Sequence, residues 1–208
     1  MIPPVPELDF YPGPHKYRYR GNWLVNSVTG VLAHDMGQAK KAAINYYKDG
    51  PKGWAARGKT LHSVLEKTLL GEPITRYKEW EEWIDPLVEC ELFQGAKTLA
   101  VEYPICDPIR SVGGSFDFLI QTQKGEIVLG DLKTCSTKNA AKRRKPANEQ
   151  LGAYLVMLNR HHPRVWIDKC CTVISGPKIC LFKEEDPDKC AQLWRDTWEK
   201  YEITLEGW

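Results

Sequence analysis

The stretch GSFDFLIQTQKGEIVLGDLKT, residues 114–134, decides the fold. Residues 115–121 and 126–134 are rich in β-branched and aromatic side chains and flank Lys124-Gly125, a turn signal. They predict two strands joined as a hairpin. Side chains alternate across a strand, so Asp131 and Lys133 share one face with Leu132 on the other. On the preceding strand Asp117 faces away from Phe116 and Phe118.

Outward from this hairpin the pattern is mixed. Residues 99–105 (LAVEYPI) read as a further strand before it. Upstream, Leu61, Leu65 and Leu69 recur at i, i+4, i+8 and predict an amphipathic helix over 58–70, stopped by Gly71 and Pro73. A second helix is expected over about 78–95 and a short one over 38–48, ended by Asp49-Gly50-Pro51. Residues 26–31 (NSVTGV) combine β-branched residues with a turn glycine. Downstream, a helix over about 148–159 carries Leu151, Leu155 and Leu158. Strands over 166–174 and 178–182 meet at Ser175-Gly176-Pro177, and a closing helix over about 188–202 carries Leu193, Trp194 and Trp198. Residues 1–25, rich in Pro, Tyr and Gly, read as an irregular lead-in, leaving 26–208 as one domain. The expected class is α/β, a central mixed β-sheet flanked by helices.

Composition bounds the function. The 208 residues, 42% hydrophobic, can supply one core. No apolar run approaches the roughly 18 residues of a membrane span. The start, MIPPVPELDF, has no basic segment followed by an apolar one, so a soluble, intracellular protein is expected. Seven cysteines are scattered without a C-x-x-C pair, which points to reduced thiols. The net charge is only +2, yet residues 134–148 hold five cations (Lys138, Lys142, Arg143, Arg144, Lys145) and no acid.

An acid and an amine two apart on a strand, with a second acid on the neighbouring strand, suit phosphodiester hydrolysis. That reaction needs a divalent cation to offset phosphate charge and a group that orients or activates water. Two aspartates and a backbone carbonyl are oxygen donors appropriate to Mg²⁺ or Mn²⁺. A lone D-x-K is more often a solvated acid with a salt-bridged lysine, so its company must decide. That company is RGKTLHSVLE at 57–66, with His62 and Glu66 on one helical face, and QLGAY at 150–154, with Gln150 and Tyr154 on one face.

Gly58 through His62 to Glu66, Gly114 through Asp117, Asp131-Leu132-Lys133 and Gln150 through Tyr154 occur in this order. The set resembles the RecB-like branch of the PD-(D/E)XK nuclease superfamily, over residues 57–154. The resemblance implies a restriction-endonuclease-like core. It makes Asp117, Asp131 and the Leu132 carbonyl metal ligands, with His62 an additional ligand and Glu66 either a ligand or a partner of His62. Lys133 would orient the attacking water, supported by Gln150 and Tyr154. The (D/E) position of the superfamily name is an aspartate here, Asp131. No cysteine precedes His62, so no iron-sulfur cluster of the kind some relatives carry is expected.

By this resemblance the chain is a Mg²⁺- or Mn²⁺-dependent exonuclease acting on DNA with free or single-stranded ends and leaving 5′-phosphates. Its setting would be DNA end processing, recombination, repair or phage DNA metabolism. An endonuclease on the same fold and an inactive DNA-binding module are the alternatives. The basic run between the catalytic strand and the Gln150 helix is expected to be a loop touching DNA phosphates, with Arg57 a further contact. Tyr11, Tyr17, Tyr19 and Trp23, interleaved with Lys16, Arg18 and Arg20, either stack bases or pack; packing is expected for most. His15, His34, His161 and His162 have no partner at ligand spacing.

Overall fold

A computed structural model of the chain describes residues 1–34, 36–49 and 53–206. Its N-terminal segment is ordered into an antiparallel meander of β1 (Leu8–Tyr11), β2 (Lys16–Tyr19) and β3 (Asn22–Trp23). Alternation turns Tyr17 inward, where it is buried, and turns Arg18 and Trp23 outward. Residues 26–31 divide between β4 (Asn26–Ser27) and α1 (Val28–Leu32). The Ser27 hydroxyl accepts the Gly30 N–H at 3.1 Å, and this N-cap starts a helix in a β-branched stretch. Helix α2 (Gln38–Tyr46) follows as expected; Gly50 and Pro51, its expected stop, lie outside the described residues.

Helix α3 (Trp54–Leu70) begins a turn earlier than the leucine repeat suggests and buries Arg57, Leu61, Val64 and Leu65. Gly71, at φ 70, ends it in the left-handed conformation that glycine adopts without steric cost. The single helix expected over 78–95 is instead a 3-10 turn (Lys78–Trp80), α4 (Glu81–Val88) and a second 3-10 turn (Glu91–Phe93). Pro86 lies inside α4. It has no N–H for the Glu82 carbonyl, which accepts from Lys178 at 2.6 Å instead, tying α4 to the far edge of the sheet.

The hairpin is β6 (Val112–Gln121) and β7 (Ile127–Thr134), preceded by β5 (Lys97–Asp107). The basic stretch expected as a loop contains a helix, α5 (Lys138–Arg143), because the Thr137 hydroxyl caps the Ala140 N–H. Then come α6 (Asn148–His161), β8 (Lys169–Gly176), β9 (Ile179–Glu185) and α7 (Pro187–Glu206). Strand β8 starts later than expected, leaving Trp166 exposed. The six-stranded sheet runs β4-β6-β7-β8-β9, with β5 on β6; β7 and β8 are parallel, as are β4 and β6. A parallel pair needs a crossover, and α5 and α6 supply it between β7 and β8.

Two cores fill the faces. On one, Leu129 and Ile105 pack with α1, α6 and α7; on the other, Val128, Leu132 and Val173 pack with α3 and α4. The protein is thus an α/β mixed sheet between helical layers, and no described helix is long and apolar enough to cross a membrane. All seven cysteines are free thiols, six of them buried.

Contact between α6 and α7 depends on Gly152, where a Cβ would fall 1.9 Å from the Cys190 carbonyl oxygen. Gly152→Ala is expected to lower stability by about 1–3 kcal/mol, the usual cost of overpacking. Gly58→Ala, in a helix with open space around the added methyl, should raise it by roughly 0.5–1 kcal/mol. Urea denaturation of the two variants checks both signs.

Candidate active site

Strands β6 and β7 pair from Gln121↔Ile127 only as far as Phe118↔Gly130. Beyond that point β6 is joined on the same edge by β4, at Val112 and Gly113. In between, residues 114–116 are held by β5 alone, and the sheet is open beside Asp131 and Lys133. A cavity of 230 Å³ occupies the opening and is lined by Asp117, Asp131, Lys133, His62, Gln150 and Tyr154 among others. The structure therefore brings six residues named from sequence into one place, from both strands of the hairpin and from helices on opposite faces.

Strand alternation slips here. Phe116 and Phe118, expected on one face, pack in different cores. On β5 the same slip separates Val101 from Tyr103, and Glu102 between them has φ 43. A left-handed backbone costs a non-glycine residue about 1–2 kcal/mol. Glu102 stands opposite Asp117 in register, between the pairs Val101↔Phe118 and Tyr103↔Phe116. The sheet thus presents both acids at the point where its pleat changes hand.

Asp117 accepts the Leu132 N–H through Oδ2 across the opening. Its Oδ1 lies 3.2 Å from His62 Nδ1, which is also 3.2 Å from Glu102 Oε1. Since N–H and C=O of an extended residue point to the same edge, the Leu132 carbonyl also faces the Asp117 side. Lys133 Nζ donates to Gln150 Oε1 at 2.8 Å, and Gln150 Nε2 donates to the Tyr154 hydroxyl at 2.9 Å. Gln150 and Tyr154 are one turn apart on α6, so the relay is a helical i, i+4 pair.

The charges are strongly coupled. Burial alone would lower the His62 pKa, but Asp117 and Glu102 outweigh it and hold the imidazole protonated up to about 10. Burial raises Asp131 to about 6, with Asp117 adding to the rise and Lys133 opposing it. Burial likewise keeps the Tyr154 phenol neutral. Glu66, half-buried, is raised by burial and then by Glu102.

Residues for a cation are present. Ligand atoms of His62, Glu102 and Asp117 lie within 4.8 Å of one another. Asp131 is buried, with the Lys133 ammonium 2.8 Å from its Oδ2. The same ammonium donates to Gln150 Oε1 and so bridges the two side chains. A buried carboxylate paired with one lysine, beside two further acids and one imidazole, is a donor set that fits a hard divalent cation.

Other residues named from sequence lie elsewhere. Arg57 is buried with its guanidinium over the Trp83 ring at 5.6 Å. Lys138, Lys142, Arg143, Arg144 and Lys145 are exposed on and after α5, and the last three line a separate cavity beside Cys135. Sequence reasoning missed Glu102, although it is the one acid in the apolar strand LAVEYPI. It also missed His15, Tyr17 and Ser115, which line the cavity, with the Tyr17 hydroxyl 3.1 Å from Ser115 Oγ. No local signal marks these three, since their place depends on the meander folding back over Gly113. A Cβ at Gly113 would fall 2.5 Å from the Tyr17 ring.

Mn²⁺ at about 100 times its dissociation constant is expected to stabilise the protein by roughly 2.7 kcal/mol. Glu102→Gln should weaken Mn²⁺ binding by about 10- to 100-fold if it helps to hold the ion. Thermal unfolding and calorimetric titration measure the two effects; unchanged affinity in the variant would remove Glu102 from the ligand set.

The geometry can be set beside known proteins. The crystal structure of SSO0001 is similar over 83% of this chain and 74% of its own, with 17% identity and a TM-score of 0.42. That of LHK-Exo in complex with dAMP is similar over 87% of this chain and 89% of its own, with 14% identity and a TM-score of 0.39. No curated protein matches the sequence significantly. The family described as the PD-(D/E)XK nuclease superfamily matches residues 35–169, which include every cavity acid, Lys133, Gln150 and Tyr154. The chain belongs to the PD-(D/E)XK nuclease superfamily.

Proposed function

We propose that this protein is a divalent-metal-dependent DNA exonuclease that hydrolyses phosphodiester bonds to leave 5′-phosphates, acting in DNA end processing. Recombination, repair or phage DNA metabolism is the corresponding setting. The observation that carries the reading is the meeting of Asp117, Asp131, Glu102, His62 and Lys133 where β6 and β7 part. When bound, a divalent cation offsets charge on the scissile phosphate and acidifies an attacking water. His62, Asp117 and Asp131 would hold it, with Glu102 and the Leu132 carbonyl at hand.

The chain's own groups supply positioning. Gln150 fixes the Lys133 ammonium, which orients the water and steadies a phosphate oxygen. Tyr154, kept neutral by burial, fixes Gln150 in turn. The small cavity, walled on one side by His15 and Tyr17, suits a single strand and favours action at ends. The exposed cations of and after α5, Lys138, Lys142, Arg143, Arg144 and Lys145, would contact flanking phosphates. Arg57, buried with its guanidinium over Trp83, offers little exposed surface for the phosphate contact expected from sequence.

End-labelled linear DNA and closed circles, single- and double-stranded, incubated with Mg²⁺, Mn²⁺ or EDTA, test the reading. Loss of linear DNA alone is expected, with Asp131→Ala and Lys133→Ala reduced by at least about 100-fold. Cleavage of circles would overturn the exonuclease assignment, and activity in EDTA or in both variants would overturn the metal site. Gln150→Ala should lower kcat by about 10- to 100-fold with little change in KM, because it misplaces Lys133 without removing it. A matching loss on KM instead would make Gln150 a substrate-binding residue.

A further inference from the structure

The outer face of the N-terminal meander is unaccounted for by the site. Its residues are Asp9 and Tyr11 from β1, Lys16 and Arg18 from β2, and Trp23 from β3, as the register of the three strands sets them. The Tyr11 and Trp23 rings are 5.0 Å apart, and the Arg18 guanidinium lies 5.5 Å and 5.9 Å from their centroids. Trp23 is nevertheless 53% exposed. The face contains no aliphatic side chain, which a protein partner's apolar patch would require, and offers planar π-surfaces beside cations.

The face belongs to the same hairpin that walls the catalytic cavity. His15, which precedes β2, and Tyr17, on the inner face of β2, both line that cavity. Tyr11 and Lys16 are the last pair before the turn that contains His15. Charge is graded along the same line. Arg18 and Arg20, at the far end, are paired with Asp9 and Glu7 at 2.9 Å, whereas Lys16 has no carboxylate partner among the described residues. A strand leaving the cavity would meet a cation first and an aromatic platform next.

The geometry points to a single-strand guide: Lys16 takes a phosphate and the Tyr11–Arg18–Trp23 cluster stacks an unpaired base of the DNA strand whose phosphodiester lies in the cavity. This rests on the nuclease reading for the identity of the occupant. Stacking does not distinguish bases, so the guide selects unpaired strand over duplex and not one sequence over another.

The test is binding in EDTA, which does not depend on turnover. A fluorescently labelled oligothymidylate and a blunt DNA hairpin are titrated with wild type, Trp23→Ala, Tyr11→Ala and, as a control on an exposed tryptophan outside the meander, Trp166→Ala. The side chains changed are at the surface, and matching thermal midpoints verify folding. Trp23→Ala and Tyr11→Ala are expected to weaken oligothymidylate binding by roughly 5- to 100-fold each while duplex binding changes by less than about twofold. Trp166→Ala should leave both unchanged. Unaltered single-strand affinity in both meander variants, or equal losses on the duplex, would overturn the guide. Selective losses in a protein that never cleaves DNA would leave the guide standing and remove the nuclease reading. Cleavage with wild-type strand affinity in both variants would do the reverse.

Discussion

The early end of pairing between β6 and β7 is the constraint on which the rest of the structure depends. Had the ladder continued one step past Phe118↔Gly130, Asp117 and Asp131 would be cross-strand neighbours, two like charges in a buried sheet. Instead the strands part, Asp117 turns to the Leu132 N–H, and β4 takes over the vacated edge farther along. The opening lets a helix on each face reach one cavity through the sheet. His62 comes from α3 on one side and Gln150 and Tyr154 from α6 on the other.

Charge balance explains why the cavity suits a cation. Glu102, Asp117 and Asp131 converge on His62 and Lys133, so three carboxylates face two cationic groups. In a low-dielectric setting the imbalance is costly: the acids hold the His62 proton up to about 10, and burial with the Asp117 charge raises Asp131 to about 6. A divalent ion relieves the same imbalance without protons. Lys133 stays beside Asp131 because Gln150, itself held by the Tyr154 hydroxyl, accepts its hydrogen bond without altering the charge.

The meander gives the cavity its other wall. Tyr17 lies against Gly113 and bonds Ser115, so the first strands of the chain are packed on β6 and are as much a part of the cavity as the hairpin acids. Their inner face narrows access while their outer face stays aromatic and cationic.

Much of this was legible from sequence because it is local. Period-two and period-four patterns marked the β6–β7 hairpin and helices α3 and α6, and fixed which side chains could share a face: Asp131 with Lys133, Gln150 with Tyr154. Local chemistry also misled where a single group decided the outcome, as with the Thr137 cap that made the basic run helical. Sequence by itself determined the α/β class and the identity of the acids, lysine and histidine on their elements. Only the tertiary structure decided that Glu102 joins them, that Phe116 and Phe118 part company, and that His15 and Tyr17 wall the cavity. The reason is physical: alternation and helical period act over a few residues, whereas the opening of the sheet depends on which distant strand competes for the edge of β6.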